Sequence, residues 1–148
     1  VPADAKENLI LTSLMALFAP IVAGATYLTS PAIAEGPLPD PIPTVDVQPR
    51  VYVSHVTTET ATPPRSGNHH RWTSRFVAWV CAKDQRTVNR VRKDILTALL
   101  NGEATMIAAY KEPAYPVDSD QLQGGVRAGV YLSPQVIEIQ YETDHNLE

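Results

Sequence analysis

Arg71-Trp72-Thr73-Ser74-Arg75-Phe76-Val77-Ala78-Trp79-Val80-Cys81-Ala82 is the stretch on which the fold turns. Its second half is apolar throughout: Phe76, Ala78 and Val80 alternate with Val77, Trp79 and Cys81. Successive side chains of a strand point to opposite faces, so both faces of this one need cover. That pattern predicts a central strand, covered by helices or by a second subunit. Upstream, Arg50–Thr60 carries Val51, Val53, Val56, Thr57, Thr58 and Thr60, the β-branched composition of a partner strand. Pro63-Pro64 and Ser66-Gly67-Asn68 predict the loop that closes the two into a long polar hairpin.

Downstream, Asp84 is placed to cap a helix running from Gln85 to Leu100, with Asn101-Gly102 as its stop signal. Val88, Val91, Ile95 and Leu99 form its core stripe. Arg86, Arg90 and Lys93 fall at i, i+4 and i+7 on another face. Such a stripe is either a solvated face or a salt-bridging surface for a neighbouring subunit. Met106–Tyr110 is predicted as a short strand, Lys111–Gly125 as a loop and Arg127–Leu132 as a further strand. Val136–Thr143 closes the chain as a half-buried antiparallel strand. It sets Ile137, Ile139 and Tyr141 on one face and Glu138, Gln140 and Glu142 on the other.

The N-terminal region admits two readings. Asn8–Ala34 carries no charge, and Ala32-Ile33-Ala34 has the small-residue form of a signal-peptidase site. The flank before the apolar run, however, holds Asp4, Lys6 and Glu7, net negative where a signal needs positive charge. Pro20 and Gly24 also interrupt the run before the about 20 apolar residues that a bilayer span requires. A helix fits better. Asp4 with Glu7 three residues later resembles a capping box. Ile10, Leu14, Leu17 and Phe18 share one face, which Leu11 and Met15 widen.

Between this helix and the hairpin, prolines 31, 37, 39, 41, 43 and 49 exclude a helix or a central strand from residues 31–49. The segment is expected to be an extended arm lying on its own subunit or on a neighbour, with Ile33, Leu38, Ile42 and Val45 to dock it. A free linker and a proline-rich ligand for a recognition domain are the alternatives. No basic residue flanks the prolines until Arg50, which disfavours the ligand.

Composition bounds the function classes. A chain of 148 residues suits a single domain that buries roughly 70% of its unfolded surface. Only 19% of residues are charged, against about 25% in an average soluble domain, which hints that part of the surface is covered by an assembly. The net charge of −4 disfavours a tight nucleic-acid binder, which needs a basic footprint. It does not argue against a surface that DNA slides past, since such a surface should avoid attraction. The single cysteine, Cys81, permits neither a disulfide framework nor a four-thiolate metal site and reads as a small buried apolar residue.

Chemistry-bearing motifs are sparse. His69-His70 is a conceivable metal pair, but neighbours in an extended segment point apart. Asp118-Ser119-Asp120 lacks the remaining ligands of a calcium loop and reads as a turn. Gly124-Gly125 stands alone, without a phosphate-loop pattern. No serine or cysteine sits in a nucleophile elbow. Neither catalysis nor a cofactor is expected.

The order of segments resembles the tail terminator proteins of long-tailed bacteriophages, the lambda-type family. The resemblance covers most of the chain. It runs from the opening helix around Leu9–Phe18 to the proline-led strand Pro49-Arg50-Val51-Tyr52-Val53 and the polar hairpin returning through Arg75–Val80. It continues through the helix Val88–Leu100, the Asp/Gly loop Asp118–Gly125 and the closing strand Val136–Tyr141. The departure is the proline-rich Ser30–Pro49, which the short version of the family does not need. The resemblance implies a homohexameric ring, closed by heterologous contacts, that binds the last ring of the tail tube and stops its growth. It further implies a place at the tail–neck junction of the virion after assembly in the host cytoplasm. The partners would be other copies of the chain, the tail tube protein and a head-side neck or stopper protein. DNA would pass through without specific binding, and no membrane would be involved.

The expected fold class is α+β: a mainly antiparallel sheet packed with two principal helices, with a long hairpin and a proline-rich arm. Glu138, Gln140 and Glu142 are either an ordinary solvated outer face or the candidate lining of a DNA passage, where like charge discourages adhesion of a polyanion. Arg86, Arg90 and Lys93, with Trp72 and Arg75 of the return strand, are the candidate subunit-interface residues. Another neck protein, a secreted protein and an enzyme are the alternative functions.

Overall fold

The computed structural model describes residues 2–118 and 122–148. In chain order the elements are α1 (Lys6–Phe18), β1 (Ala32–Glu35), β2 (Arg50–Ser66), β3 (His69–Ala82), α2 (Gln85–Asn101), α3 (Glu103–Tyr110), β4 (Tyr115–Val117), β5 (Gly125–Arg127) and β6 (Val130–Thr143). The strands form one sheet in the order β1-β2-β3-β6-β4, with β5 pairing the start of β6. Among the described strands only β1 runs parallel to its neighbour. The chain is an α+β protein built on a long β-hairpin, as its sequence predicts.

β3 is the central strand, between β2 and β6, and both faces of its second half, from Phe76 to Ala82, are covered by this chain alone. One face presents Phe76, Ala78, Val80 and Ala82 to the main core. Ile10, Leu14 and Phe18 of α1 join them there, with Val88, Val91, Ile95 and Leu99 of α2. The stripes of both helices are thus the ones their 3.6-residue spacing marks. On the opposite face, Cys81 and Trp79 meet Val130, Leu132 and Tyr52 beneath Leu38, Ile42 and Val45 of the proline-rich arm. The arm therefore lies on its own subunit. Its first residues form β1, an edge strand in which Ile33 opposite Val51 turns toward the main core. Burial raises the Cys81 thiol to about 11, against a small opposing pull from Arg50.

Several predicted elements come out differently. Met106–Tyr110 is helical, as α3, and not a strand. Met106 is buried beneath it, and the run Glu103-Ala104-Thr105-Met106-Ile107-Ala108-Ala109 is mostly good helix formers. Asn101-Gly102 is accordingly a junction between two helices. A Cβ on Gly102 would lie 2.3 Å from Leu17 Cδ2, so α1 packs directly on the glycine backbone. The predicted strand Arg127–Leu132 is divided: Val130–Leu132 open β6 and Arg127 ends β5, with Ala128 (φ 51°) and Gly129 (φ 78°) between them supplying the left-handed pair that a two-residue turn requires.

β2 also continues through Pro64 to Ser66, so the long hairpin closes on Gly67-Asn68 alone. The prolines fall in a register shift between Thr60 and Arg65, where the ladder asks no amide of them. Pro134, inside β6, lies in the gap between the residues paired with β5 and those paired with β4. At the N-terminus the cap position is Ala5. Asp4 Oδ1 instead accepts from the Ala5 amide (2.8 Å) and Asn8 Nδ2 (3.1 Å). Glu7 faces the sheet, so the expected capping box does not form. Ser119 and Asp120 of the expected Asp/Ser turn lie outside the described residues.

Candidate assembly surface

The distal halves of β2, β3 and β6, beyond the reach of the arm, form an open polar sheet face. Strand alternation puts Thr57 and Glu59 of β2, Arg71, Thr73 and Arg75 of β3, and Glu138, Gln140 and Glu142 of β6 on this side. Register brings Arg75 opposite Glu138 and Arg71 opposite Glu142. Arg75 Nε lies 3.0 Å from Glu138 Oε1, and Arg71 Nε lies 3.7 Å from Glu142 Oε1. Cross-strand pairs of opposite charge of this kind support a sheet.

The three candidate lining residues are not equivalent. Glu138 has a side chain only 12% exposed, and its second oxygen accepts from the Tyr115 hydroxyl at 2.5 Å. That bond, with burial and the negative charge of Glu138, raises the Tyr115 phenol to about 12. Gln140 is half-buried and Glu142 exposed. β3 thus supplies a guanidinium for each carboxylate of β6, so the face is far less acidic than the strand pattern Ile-Glu-Ile-Gln-Tyr-Glu suggests.

The candidate interface residues fall on three different surfaces. Arg86, Arg90 and Lys93 are exposed on the outer face of α2, and none forms an ion pair among the described residues. Arg75 belongs to the polar sheet face. Trp72 turns the other way, packing against the main core while its indole Nε1 donates to Thr143 Oγ1 at 2.8 Å. Asp84 caps α2 as predicted, its Oδ1 accepting from the Thr87 amide at 2.7 Å, which holds its carboxyl below the usual range. His69 and His70 take opposite faces of β3. Among the described residues no group of three or more His, Cys, Asp or Glu gathers in a way that could hold a metal.

Two polar devices escape sequence reasoning. Asp94, 1% exposed on the inner side of α2, accepts from the amides of Leu28 (2.9 Å) and Thr29 (2.8 Å) and from the Thr29 hydroxyl (2.6 Å). It ties the segment between α1 and β1 to α2. Its one legible signal is an acid flanked by Val91, Ile95 and Ala98 on a buried helical stripe. The second device is a chain of side chains beneath the start of α1. Glu7 Oε1 accepts from the Tyr141 and Thr58 hydroxyls (3.1 and 3.2 Å). Ser74 Oγ bridges Tyr141 (2.8 Å) and Thr58 (2.7 Å), and His55 Nε2 meets Thr58 at 2.8 Å. Ser74 is fully buried, and burial raises the Tyr141 phenol to about 12. These residues come from α1, β2, β3 and β6, and no local spacing links them.

A cleft of about 300 Å³ flanks α2, lined by Leu96, Leu99 and Leu100 on one side and Pro113, Tyr115 and Pro116 on the other. Leu100 is 71% exposed at its rim. No helix among the described residues is long and apolar enough to cross a membrane. Compared with protein-family models and with curated proteins, the chain has no significant match.

Proposed function

We propose that this chain is a structural virion protein of a long-tailed bacteriophage: a tail terminator that forms a homohexameric ring on the end of the tail tube. The observation that supports this most is the element order on a single sheet. An opening helix, a long polar hairpin, a second helix and a closing strand with one polar face follow each other as the resemblance to the terminator family implies. In this reading the protein acts by binding alone. One rim of the ring copies the tube-to-tube contact, and the other cannot accept a further tube subunit, so growth stops. The opposite rim meets the head-side neck protein. The polar face carrying Gln140 and Glu142 is the candidate wall of the passage. Its internal ion pairs leave few free cations to hold a moving polyanion.

Electron microscopy of particles made without the protein tests the proposal. Tails of uncontrolled length are expected, and normal tails joined to heads would refute it. Tails of normal length that fail to attach would favour the second reading, a stopper or adaptor of the neck, which the same fold and exposed charge pattern would serve.

A further inference from the structure

Two exposed stretches of single sign, a basic helix stripe and an acidic arm, lie on opposite faces of the sheet. α2 lies over the face of the sheet that holds the main core, and its outward stripe is Arg86, Arg90 and Lys93. The proline-rich arm lies on the opposite face, over Trp79 and Cys81. From Asn8 to Pro49 the sequence contains no Lys, Arg or His, and its charged residues are Glu35, Asp40 and Asp46, all acidic. All three are exposed. Among the described residues, neither the basic stripe nor the acidic arm forms an ion pair; the two bridges present are Arg71–Glu142 and Arg75–Glu138. Exposed apolar residues accompany both sets. Val47, 75% exposed, adjoins Asp46 on the arm, and Leu100, 71% exposed, lies two helical turns beyond Lys93 on α2.

We propose that the acidic arm of one copy docks on the basic face of α2 of the next, pairing Asp40 and Asp46 with Arg86, Arg90 and Lys93 and setting Val47 toward Leu100. The two patches lie on opposite faces of one subunit and are complementary to each other, not to themselves. They therefore specify a heterologous, head-to-tail contact, the kind that closes rings, and not a twofold dimer. Opposite charge fixes the register and speeds encounter, while the apolar pair and the buried area set the lifetime. The arm then has a role beyond covering Cys81: its inner side chains anchor it and its outer side chains recognise the neighbour. This inference names the contact surface and rests on the ring reading above.

Charge reversal on each side tests it. Three samples are compared with wild type by sedimentation velocity and native mass spectrometry at low salt: Arg86→Glu/Arg90→Glu/Lys93→Glu, Asp40→Lys/Asp46→Lys, and an equimolar mixture of the two. Circular dichroism checks that each is folded, as expected for exposed positions. Either variant alone should associate about tenfold to hundredfold more weakly than wild type, from several surface pairs lost and made repulsive. The mixture should recover association as mixed-composition oligomers. Raising salt from about 0.05 to about 0.5 M should weaken wild type in the same direction. Undiminished association of either variant, failure of the mixture to recover, or a wild type that stays monomeric at millimolar concentration would each overturn the contact. Salt-sensitive binding of duplex DNA to wild type that Arg86→Glu/Arg90→Glu/Lys93→Glu abolishes would assign the stripe to DNA and overturn it too. Tail length in particles carrying the variants separates the two proposals. Normal termination with an insensitive interface removes this contact and leaves the ring, whereas a protein dispensable for tail length removes the ring.

Discussion

Asp94→Ala should be the most damaging single substitution of a charged residue in this chain. Asp94 is nearly inaccessible and accepts three hydrogen bonds from two consecutive residues of the segment joining α1 to β1. A buried donor left without its acceptor costs about 1–3 kcal/mol. The Leu28 amide can be rehydrated, because Leu28 is 52% exposed. The Thr29 amide and hydroxyl cannot readily be, because Thr29 is only 9% exposed. The loss is therefore two buried donors left without an acceptor plus a small cavity, about 3–5 kcal/mol in all. Against a typical domain stability of about 5–15 kcal/mol, that is a large share. With a urea m-value of about 2 kcal/mol/M, the midpoint should fall by roughly 1.5–2.5 M at unchanged slope. Thr29→Val alone should cost about 1–2 kcal/mol, and much less when Asp94 is already alanine, since both changes remove the same bond. A fall in midpoint under about 0.5 M for Asp94→Ala, or strict additivity with Thr29→Val, would refute the clamp.

Two further outcomes follow from the geometry. Glu138→Lys should destabilise the fold by about 1–3 kcal/mol, because it removes the acceptor of both Arg75 and Tyr115, whereas exposed Glu142→Lys should stay within about 0.5 kcal/mol. Thermal melts of the two side by side decide it, and equal costs would show that the Arg75–Glu138–Tyr115 cluster carries no stability. Gly102→Val should cost about 1–3 kcal/mol by forcing Leu17 off the α2–α3 junction, and Leu17→Ala should relieve part of that cost in the double mutant. Denaturant midpoints check the pair, and a Gly102→Val protein as stable as wild type would mean that Leu17 moves freely.

Local regularity explains what was legible in the order of residues. Period-two alternation from Phe76 to Cys81 and again from Ile137 to Glu142 identifies two neighbouring strands and their buried faces. The spacing of Val88, Val91, Ile95 and Leu99, with Asp84 ahead of them, identifies α2 and its cap. These signals survive because each residue's role is set by neighbours within a turn or a pleat. The same logic fails at Met106–Tyr110. Five residues of mixed propensity fit a strand or a helix, and only the burial of Met106 against the core and the contact of Leu17 with Gly102 select the helix.

The candidate assembly surface was legible by halves, for the same reason. That Glu138, Gln140 and Glu142 share a face away from the core, and that Arg86, Arg90 and Lys93 form an exposed stripe, follows from periodicity alone. That Arg75 and Arg71 neutralise two of those carboxylates depends on a register between residues some 63 to 71 positions apart, which only the folded sheet supplies. The split of Trp72 from Arg75, three residues apart on opposite faces of β3, likewise becomes visible only once the sheet has two sides with different cover. Sequence by itself determined which periodic side chains of α2 and β6 turn away from the core. Tertiary structure decided which of them meet, because charge pairing depends on distance across the sheet and not along the chain.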